Sequence, residues 1–275
     1  MEAHTRDLDS RPADPTALPW SIEVGDGPVV AAAIHAGHEV RPDVAEWLAA
    51  TDADRLREED PLTGLWTTVG DSAIRVFRSR FEVDLNRPRD QAIALDPKTS
   101  WGLTVWRDRP PEHVLERSLE EYDAFYEDMR VLFDRLTREW NSVFVLDLHS
   151  YNHRRDGPDR PAQSLVATPE INVGTGSLDR PRWASLVDRF IAALRVQEYE
   201  GRILDVRENV RFRGGHFSRW LHEKYPATVC VLALEFKKIF MDEWIGTADI
   251  MALEDIRVAL RNAVNNVRQE LTRAR

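Results

Sequence analysis

The amino-acid sequence predicts an α/β protein in which a mostly parallel mixed sheet is flanked by helices on both faces. Three runs, "PVVAAAIH", "SVFVLDLH" and "ATVCVLALEF", are apolar almost throughout rather than alternating, which is typical of strands buried on both faces. Stretches with apolar residues at every third or fourth position separate these runs and predict amphipathic helices. A sheet of this class places its binding sites at the carboxyl ends of its strands.

Each predicted element follows from its own pattern. The long helix after Pro110 has a three- to four-residue apolar period, and Pro111 is compatible with its first turn. Glycine and proline in "DGPDRPAQ" indicate a loop after the second apolar strand. In chain order, the predicted elements are strands at 28–35, 73–85 and 101–106, a helix at 110–140, a strand at 142–149, a helix at 181–197, a strand at 202–206, a helix at 217–225, a strand at 227–236 and a helix at 247–273.

The composition is that of an ordinary globular protein. The 275 residues are 43% hydrophobic and 31% charged, and the net charge of −10 argues against a nucleic-acid or anionic-membrane partner. No apolar run approaches the roughly 20 residues that a membrane span requires. A single cysteine, Cys230, excludes an internal disulfide and a cysteine-rich zinc site. These features predict a cytoplasmic protein, and they leave its oligomeric state open.

The domain organisation is predicted to be simple. Residues 1–20 combine mixed charges and prolines without an apolar segment, so they are expected to form a flexible N-terminal arm rather than a secretory signal. Residues 21–275 are expected to form a single catalytic domain.

Three of the predicted strands end in residues that can bind a metal or transfer a proton. A catalytic zinc typically takes three protein ligands and leaves a position for water, whose pKa it lowers. His35, together with either His38 or Glu39, and His149 would supply those ligands. Glu235 could accept the proton of the water and pass it to a leaving amine.

Several motifs carry a resemblance to known families. "DLHSYN" resembles the strand end that bears the distal zinc-binding histidine of zinc carboxypeptidases. "DLNR" resembles the element by which carboxypeptidases and the aspartoacylase and succinylglutamate desuccinylase group bind a substrate carboxylate. Together with "IHAGHEVRP", "FRGGHFSRWLHEKYP" and "LALEFKKIFMDE", these segments are most similar to the N-formylglutamate amidohydrolase family, over residues 29–243. The resemblance implies a zinc-carboxypeptidase-like fold.

The resemblance also implies roles for individual residues. It implies one zinc ion bound by His35 and His149, although such ligands also accept other divalent metals, and Glu235 as the general base. Arg80 or Arg78 would stabilise the oxyanion of the transition state. The residues that it implies for substrate binding are Asn86 and Arg87 for a carboxylate, and Arg213, Gly214, Gly215 and His216 in a glycine-rich loop; Tyr151, beside the third ligand, is a further candidate for the pocket.

The opening motif departs from the carboxypeptidase pattern. In that pattern a glutamate follows the first histidine by three residues, but here His38 occupies that place and the glutamate comes one residue later, at Glu39. A third imidazole would leave the full metal charge in the site, whereas a carboxylate would partly neutralise it. The spacing favours His38 as the second ligand, and Glu39 is the alternative.

The sequence therefore predicts a zinc-dependent hydrolase that cleaves the amide bond of an N-formyl or N-acyl amino acid with a free carboxylate. A carboxypeptidase-like peptidase that uses the same groups on a short peptide is the first alternative. A ligand-binding protein that kept the fold and lost turnover is the second, because the shifted glutamate permits it.

Overall fold

The computed structural model of the protein describes residues 18–272. In chain order its strands and helices are β1 (Trp20–Glu23), β2 (Val29–Ala33), α1 (Pro42–Ala45), α2 (Asp52–Glu58), β3 (Ser72–Val76), α3 (Glu112–Glu139), β4 (Val143–Tyr151), β5 (Ile171–Gly174), α4 (Ala184–Leu194), β6 (Glu198–Tyr199), β7 (Arg202–Ile203), β8 (Val206–Glu208), α5 (His216–Lys224), β9 (Val229–Lys237) and α6 (Ile250–Val267).

Seven of the strands form one mixed sheet in the order β1-β3-β2-β4-β9-β5-β8, and β6 pairs with β7 in a small separate ribbon. The four strands β3, β2, β4 and β9 are mutually parallel, whereas β1 joins β3 and β5 joins β9 in antiparallel pairs. The outer strand β8 is parallel to β5. The predicted mostly parallel mixed sheet is confirmed. Its central strands β2, β4 and β9 all end at the same edge.

Helices cover both faces of the sheet. Leu146 and Leu232 point into a core that also contains residues of α4 and α6, while their neighbours Val145 and Val231 point into the core formed with α3 and α5. Because successive side chains of a strand point to opposite faces, both faces of β4 and β9 are buried, which explains their continuous apolar sequence.

The central strands and α3 to α6 lie where the sequence predicts them, within a few residues. The strand predicted at 101–106 is wrong. Trp101 has a positive φ of 54° and begins a turn, and Trp106 makes only an isolated bridge with Leu48. Val105 and Trp106 instead pack in a small cluster with Val44 of α1 and Val114 of α3.

Two other predicted strands are only partly right. The extended element predicted at 73–85 is a strand only to Val76, and 77–88 is irregular. The strand predicted at 202–206 is divided between β7 and β8. The short strands β1, β5 and β6 and the helices α1 and α2 lacked a periodic signal long enough to predict them.

The predicted N-terminal arm lies outside the described residues as far as residue 17, and its last residue, Trp20, is buried at the start of β1. Within residues 18–272, no helix has both the length and the apolar character that crossing a bilayer requires.

Candidate active site

Two histidines and an aspartate converge at the carboxyl edge of the sheet. His35 follows β2, His149 lies near the end of β4, and Asp60 follows α2. Their potential ligand atoms all lie within 4.8 Å of one another, and all three residues are buried. Asp60 Oδ2 is 2.9 Å from His149 Nδ1 and 3.4 Å from His35 Nδ1. The two imidazoles therefore turn the same nitrogen, Nδ1, toward one carboxylate.

The opposite nitrogen of each imidazole is held by another carboxylate. His35 Nε2 lies 2.7 Å from Asp84 Oδ1, and His149 Nε2 lies 2.9 Å from Asp147 Oδ1. Histidines that bind metals commonly donate their second N–H in this way, which leaves the facing nitrogen as a lone-pair donor. Buried Nδ1 of His35 has no hydrogen-bond partner among the described residues. Two such nitrogens and one carboxylate oxygen fit a zinc ion or a similar divalent cation.

Carboxylates and imidazoles of this cluster shift the pKa of one another. Burial alone would raise the pKa of Asp60, but its interactions with His149 and His35 lower it below the ordinary range. Burial would lower the pKa of His149, but the neighbouring Asp147 raises it well above the usual value. The carboxylates thus place negative charge around the two imidazoles, and the same negative charge would stabilise a bound cation.

Glu235 is placed beside the cluster by strand register. It pairs with His149 across the parallel strands β9 and β4, and with Asn172 of β5 on its other side. Side chains of paired residues point to the same face, so the Glu235 carboxylate and the His149 imidazole face one cavity. Burial raises the pKa of Glu235 to about 8. A carboxyl group with a pKa near neutrality can both accept and return a proton.

The cluster opens into a cavity of about 220 Å³. Arg80 lines it, donates to Asp84 Oδ2 at 2.8 Å, and lies under the Trp101 ring, whose centroid is 4.8 Å from its guanidinium carbon. Arg213 also lines it, and none of the ion pairs among residues 18–272 occupies the Arg213 guanidinium. Two further arginines, Arg57 and Arg155, also line the cavity, and both pair with Glu58.

Some predicted substrate residues line this cavity and others do not. Asn86, Tyr151, Arg213, Gly214 and Gly215 line it. A side chain on Gly215 would clash with Asn86, because an added Cβ would lie 2.2 Å from its Oδ1.

The remaining predicted residues lie elsewhere. Arg78 donates to Glu121 at 3.0 Å, away from the cavity. Arg87 donates to Asp84 Oδ2 at 3.0 Å and to the carbonyl of Thr99, so its guanidinium is already engaged. His216 begins α5, where its ring contacts Tyr126.

The structure does not bring His38 or Glu39 to the cluster. The chain passes close against the end of β3, since a Cβ on Gly37 would lie 2.2 Å from the Phe77 carbonyl carbon, and it then runs beside Arg78. His38 Nδ1 instead lies 2.6 Å from Glu59 Oε2. Residues 35–38 do not form a helix, so the three-residue spacing does not place the side chain of His38 next to that of His35.

Asp60 and Asp84 are the site residues that the sequence did not single out. Asp60 is one of three consecutive acidic residues in "EED", and nothing in that run distinguishes the residue that faces the histidines. Asp84 lies in "DLNR", and the fold brings it into contact with His35 although the two residues are distant in the chain.

Fold and site together define an α/β protein with a candidate metal centre at the carboxyl edge of its sheet. The sequence model of the family described as N-formylglutamate amidohydrolase matches residues 27–241. The chain therefore belongs to the N-formylglutamate amidohydrolase family, as its motifs predicted, and this is a family of amidohydrolases. No curated protein matches the sequence.

Two solved structures share the fold, and a third has a lower structural similarity. An N-formylglutamate amidohydrolase from Ralstonia eutropha matches with a TM-score of 0.67 and 17% identity, over 92% of this chain and 100% of that one. A gene product from Agrobacterium tumefaciens matches with a TM-score of 0.61 and 16% identity, over 91% of this chain and 96% of that one. A candidate carboxypeptidase A from Shewanella denitrificans matches with a TM-score of 0.40 and 13% identity, over 92% of this chain and 61% of that one.

Proposed function

We propose that the protein is a zinc-dependent amidohydrolase that releases the acyl group of an N-formyl or short N-acyl amino acid. The observation that carries the proposal is the convergence of His35, Asp60 and His149 beside Glu235 in a member of an amidohydrolase family. The cavity of about 220 Å³ favours a single small substrate over an extended peptide.

His35 and His149 would hold the metal through Nδ1, and Asp60 would hold it through a carboxylate oxygen. A zinc ion bound there would lower the pKa of a water molecule and polarise the scissile carbonyl. Asp84 and Asp147 keep both imidazoles in the tautomer whose Nδ1 carries the lone pair.

Glu235 acts as the general base and then as the general acid. Its carboxylate accepts a proton from the attacking water and delivers that proton to the amine that leaves. Burial and the low local dielectric keep the pKa of this carboxyl group above that of an exposed glutamate, which suits both steps.

Two arginines would stabilise the negative charges of the transition state and of the substrate carboxylate. Arg80, 13% exposed and oriented by Asp84, would donate to the carbonyl oxygen on which charge develops. Arg213 would bind the free carboxylate of the amino acid, and we favour it over Arg87 because the Arg87 guanidinium is engaged by Asp84 and Thr99 outside the cavity. Gly214 and Gly215 would let the backbone approach the ligand closely.

The decisive experiment joins metal analysis to a hydrolysis screen. Purified protein is assayed for bound zinc, and its activity is measured on N-formyl, N-acetyl and N-succinyl amino acids and on dipeptides. We expect about one zinc per chain and release of free amino acid from a formyl or acetyl substrate, with loss of both on chelation. Activity confined to dipeptides would identify a peptidase instead, and zinc binding without turnover on any substrate would identify a binding protein.

A further inference from the structure

The segment from Arg57 to Asp60 carries the candidate ligand that lies neither in a strand of the sheet nor at the end of one. His35 and His149 are fixed by neighbouring strands of the sheet, whereas Asp60 lies in the connection after α2. Asp60 itself donates its backbone N–H to the carbonyl of His35 at 3.0 Å, accepts from Ser150 Oγ on Oδ1 at 3.2 Å, and accepts from Thr63 Oγ1 on its carbonyl at 2.7 Å. The residues that precede it in the segment are held by other groups.

Lys238 holds this segment from the side of β9. Its ammonium is buried, with 1% of the residue exposed, and it donates to the carbonyl of Arg57 at 2.6 Å and to that of Glu59 at 2.8 Å. Burial lowers the pKa of Lys238 to about 8, so its position is costly and needs these partners. Because Lys238 follows Glu235 by three residues, the same strand end carries the general base and fixes the segment that ends in Asp60.

His38 holds the segment from the opposite side. The Glu59 carboxylate is 1% exposed, and it receives His38 Nδ1 at 2.6 Å on one oxygen and Ser79 Oγ on the other. Neighbouring side chains in an extended connection point in different directions, so Glu59 is anchored near β3 while Asp60 faces the histidines. His38, the second histidine of "HAGH", thus contacts Glu59, the residue that precedes Asp60, and not the cluster itself.

We propose that Lys238 and His38 are positioning residues that clamp the Arg57–Asp60 segment from its two sides and so set the distance of the Asp60 carboxylate from His35 and His149. The inference rests on the proposed metal site, and it assigns to His38 an indirect role in place of ligation. Neither residue needs to touch the metal or the substrate. Their effect is transmitted through the carbonyls and the carboxylate of the segment.

The test measures zinc affinity by competition with a chromophoric chelator, which reads the site without turnover. We expect Lys238→Met and His38→Ala each to weaken zinc binding by roughly 10- to 100-fold, the usual effect of removing a group that orients a ligand. Lys237→Met is the matched control: Lys237 is also buried at this strand end but does not line the cavity, and its variant is expected to bind zinc within about twofold of the wild type. Lys238→Arg should restore part of the affinity, because it keeps the donated hydrogen bonds.

A double-mutant cycle shows whether the effect passes through Asp60. In an Asp60→Asn background, Lys238→Met and His38→Ala should cause little additional loss of affinity, since the carboxylate that they position is gone. Equal losses in both backgrounds, or wild-type affinity in both single variants, would overturn the clamp. If Lys238→Met does not fold, as judged by circular dichroism, His38→Ala decides the matter alone, because the His38 side chain is 39% exposed and its removal leaves no cavity in the core.

The outcome separates this inference from the proposed function. Tight zinc binding that the clamp variants weaken, without hydrolysis of any substrate, would support the clamp and refute the amidohydrolase activity. Hydrolysis and zinc binding in the wild type, with unchanged zinc affinity in the variants, would support the amidohydrolase activity and refute the clamp. A wild-type protein that binds no divalent metal would overturn both.

Discussion

Two kinds of buried histidine occur among residues 18–272, and their partners differ. His35 and His149 lie between carboxylates on both sides of the ring. His222, on α5, has only neutral partners: Nδ1 lies 2.8 Å from Ser177 Oγ, and Nε2 accepts the Val231 N–H at 3.0 Å. Carboxylates stabilise positive charge on or beside the ring, whereas the backbone N–H requires a neutral ring. The first arrangement suits a cation site, and the second is structural.

The largest effect should come from removing one of the site histidines. His149→Ala deletes a proposed ligand and leaves Asp60 and Asp147 facing each other, so the variant should contain no stoichiometric zinc, and kcat/KM should fall by about 10⁴-fold or more. Metal content and hydrolysis are measured together. His113→Gln, an exposed change on α3, is the control that should retain both. Full zinc content in His149→Ala would remove this histidine from the metal site.

Replacing Glu235, the proposed general base, should separate catalysis from metal binding. Glu235→Gln keeps the shape of the side chain but cannot accept a proton, so kcat is expected to fall by roughly 10²- to 10⁴-fold with zinc content unchanged. Steady-state kinetics and metal analysis on the same sample test this prediction. A loss of zinc in this variant would mean that Glu235 is a ligand, and an unchanged kcat would mean that another group transfers the proton.

The structural histidine should make folding sensitive to acid. Burial lowers the pKa of His222 to about 4, compared with about 6.5 in an unfolded chain. The unfolded state therefore binds more protons between these values, and stability is lost as the pH falls through that window, by about 3 kcal/mol when it is complete and about 2 kcal/mol by pH 5. The stability that His222 contributes is fully present above about pH 6.5.

Urea unfolding of the metal-free protein at pH 7 and pH 5 measures this loss. His222→Gln, which cannot gain a proton, should lose about 2 kcal/mol less than the wild type between the two pH values. The difference between the two proteins cancels the other titrating groups. Equal losses in both proteins would show that His222 is already able to bind a proton in the folded state.

The regular elements of this fold were predictable from the sequence, whereas the irregular connection that carries Asp60 was not. The central strands and the long helices were predictable because uniform apolar runs and a 3.6-residue period are local signals, and they put His35, His149 and Glu235 at strand ends. Asp60 was not predictable, because it reaches the cluster through an irregular connection that is fixed by Lys238 and His38 from distant parts of the chain. The His38 prediction relied on spacing, and spacing specifies geometry only within a regular element.

The smallest of these effects tests whether the charge of the orienting carboxylate matters in itself. In Asp147→Asn the amide oxygen can still accept from His149 Nε2, and the amide nitrogen can donate to Ser218 Oγ, which now lies 2.7 Å from Asp147 Oδ2. Geometry is thus retained while one negative charge is lost, so zinc affinity should fall by roughly 10-fold, at the low end for groups that orient a metal ligand. Ser218→Ala is the matched control, since it removes that neighbouring hydrogen bond and keeps the charge, and it should change the affinity by less than about threefold. If the two variants lose the same affinity, hydrogen-bond geometry rather than charge distinguishes the site histidines from His222.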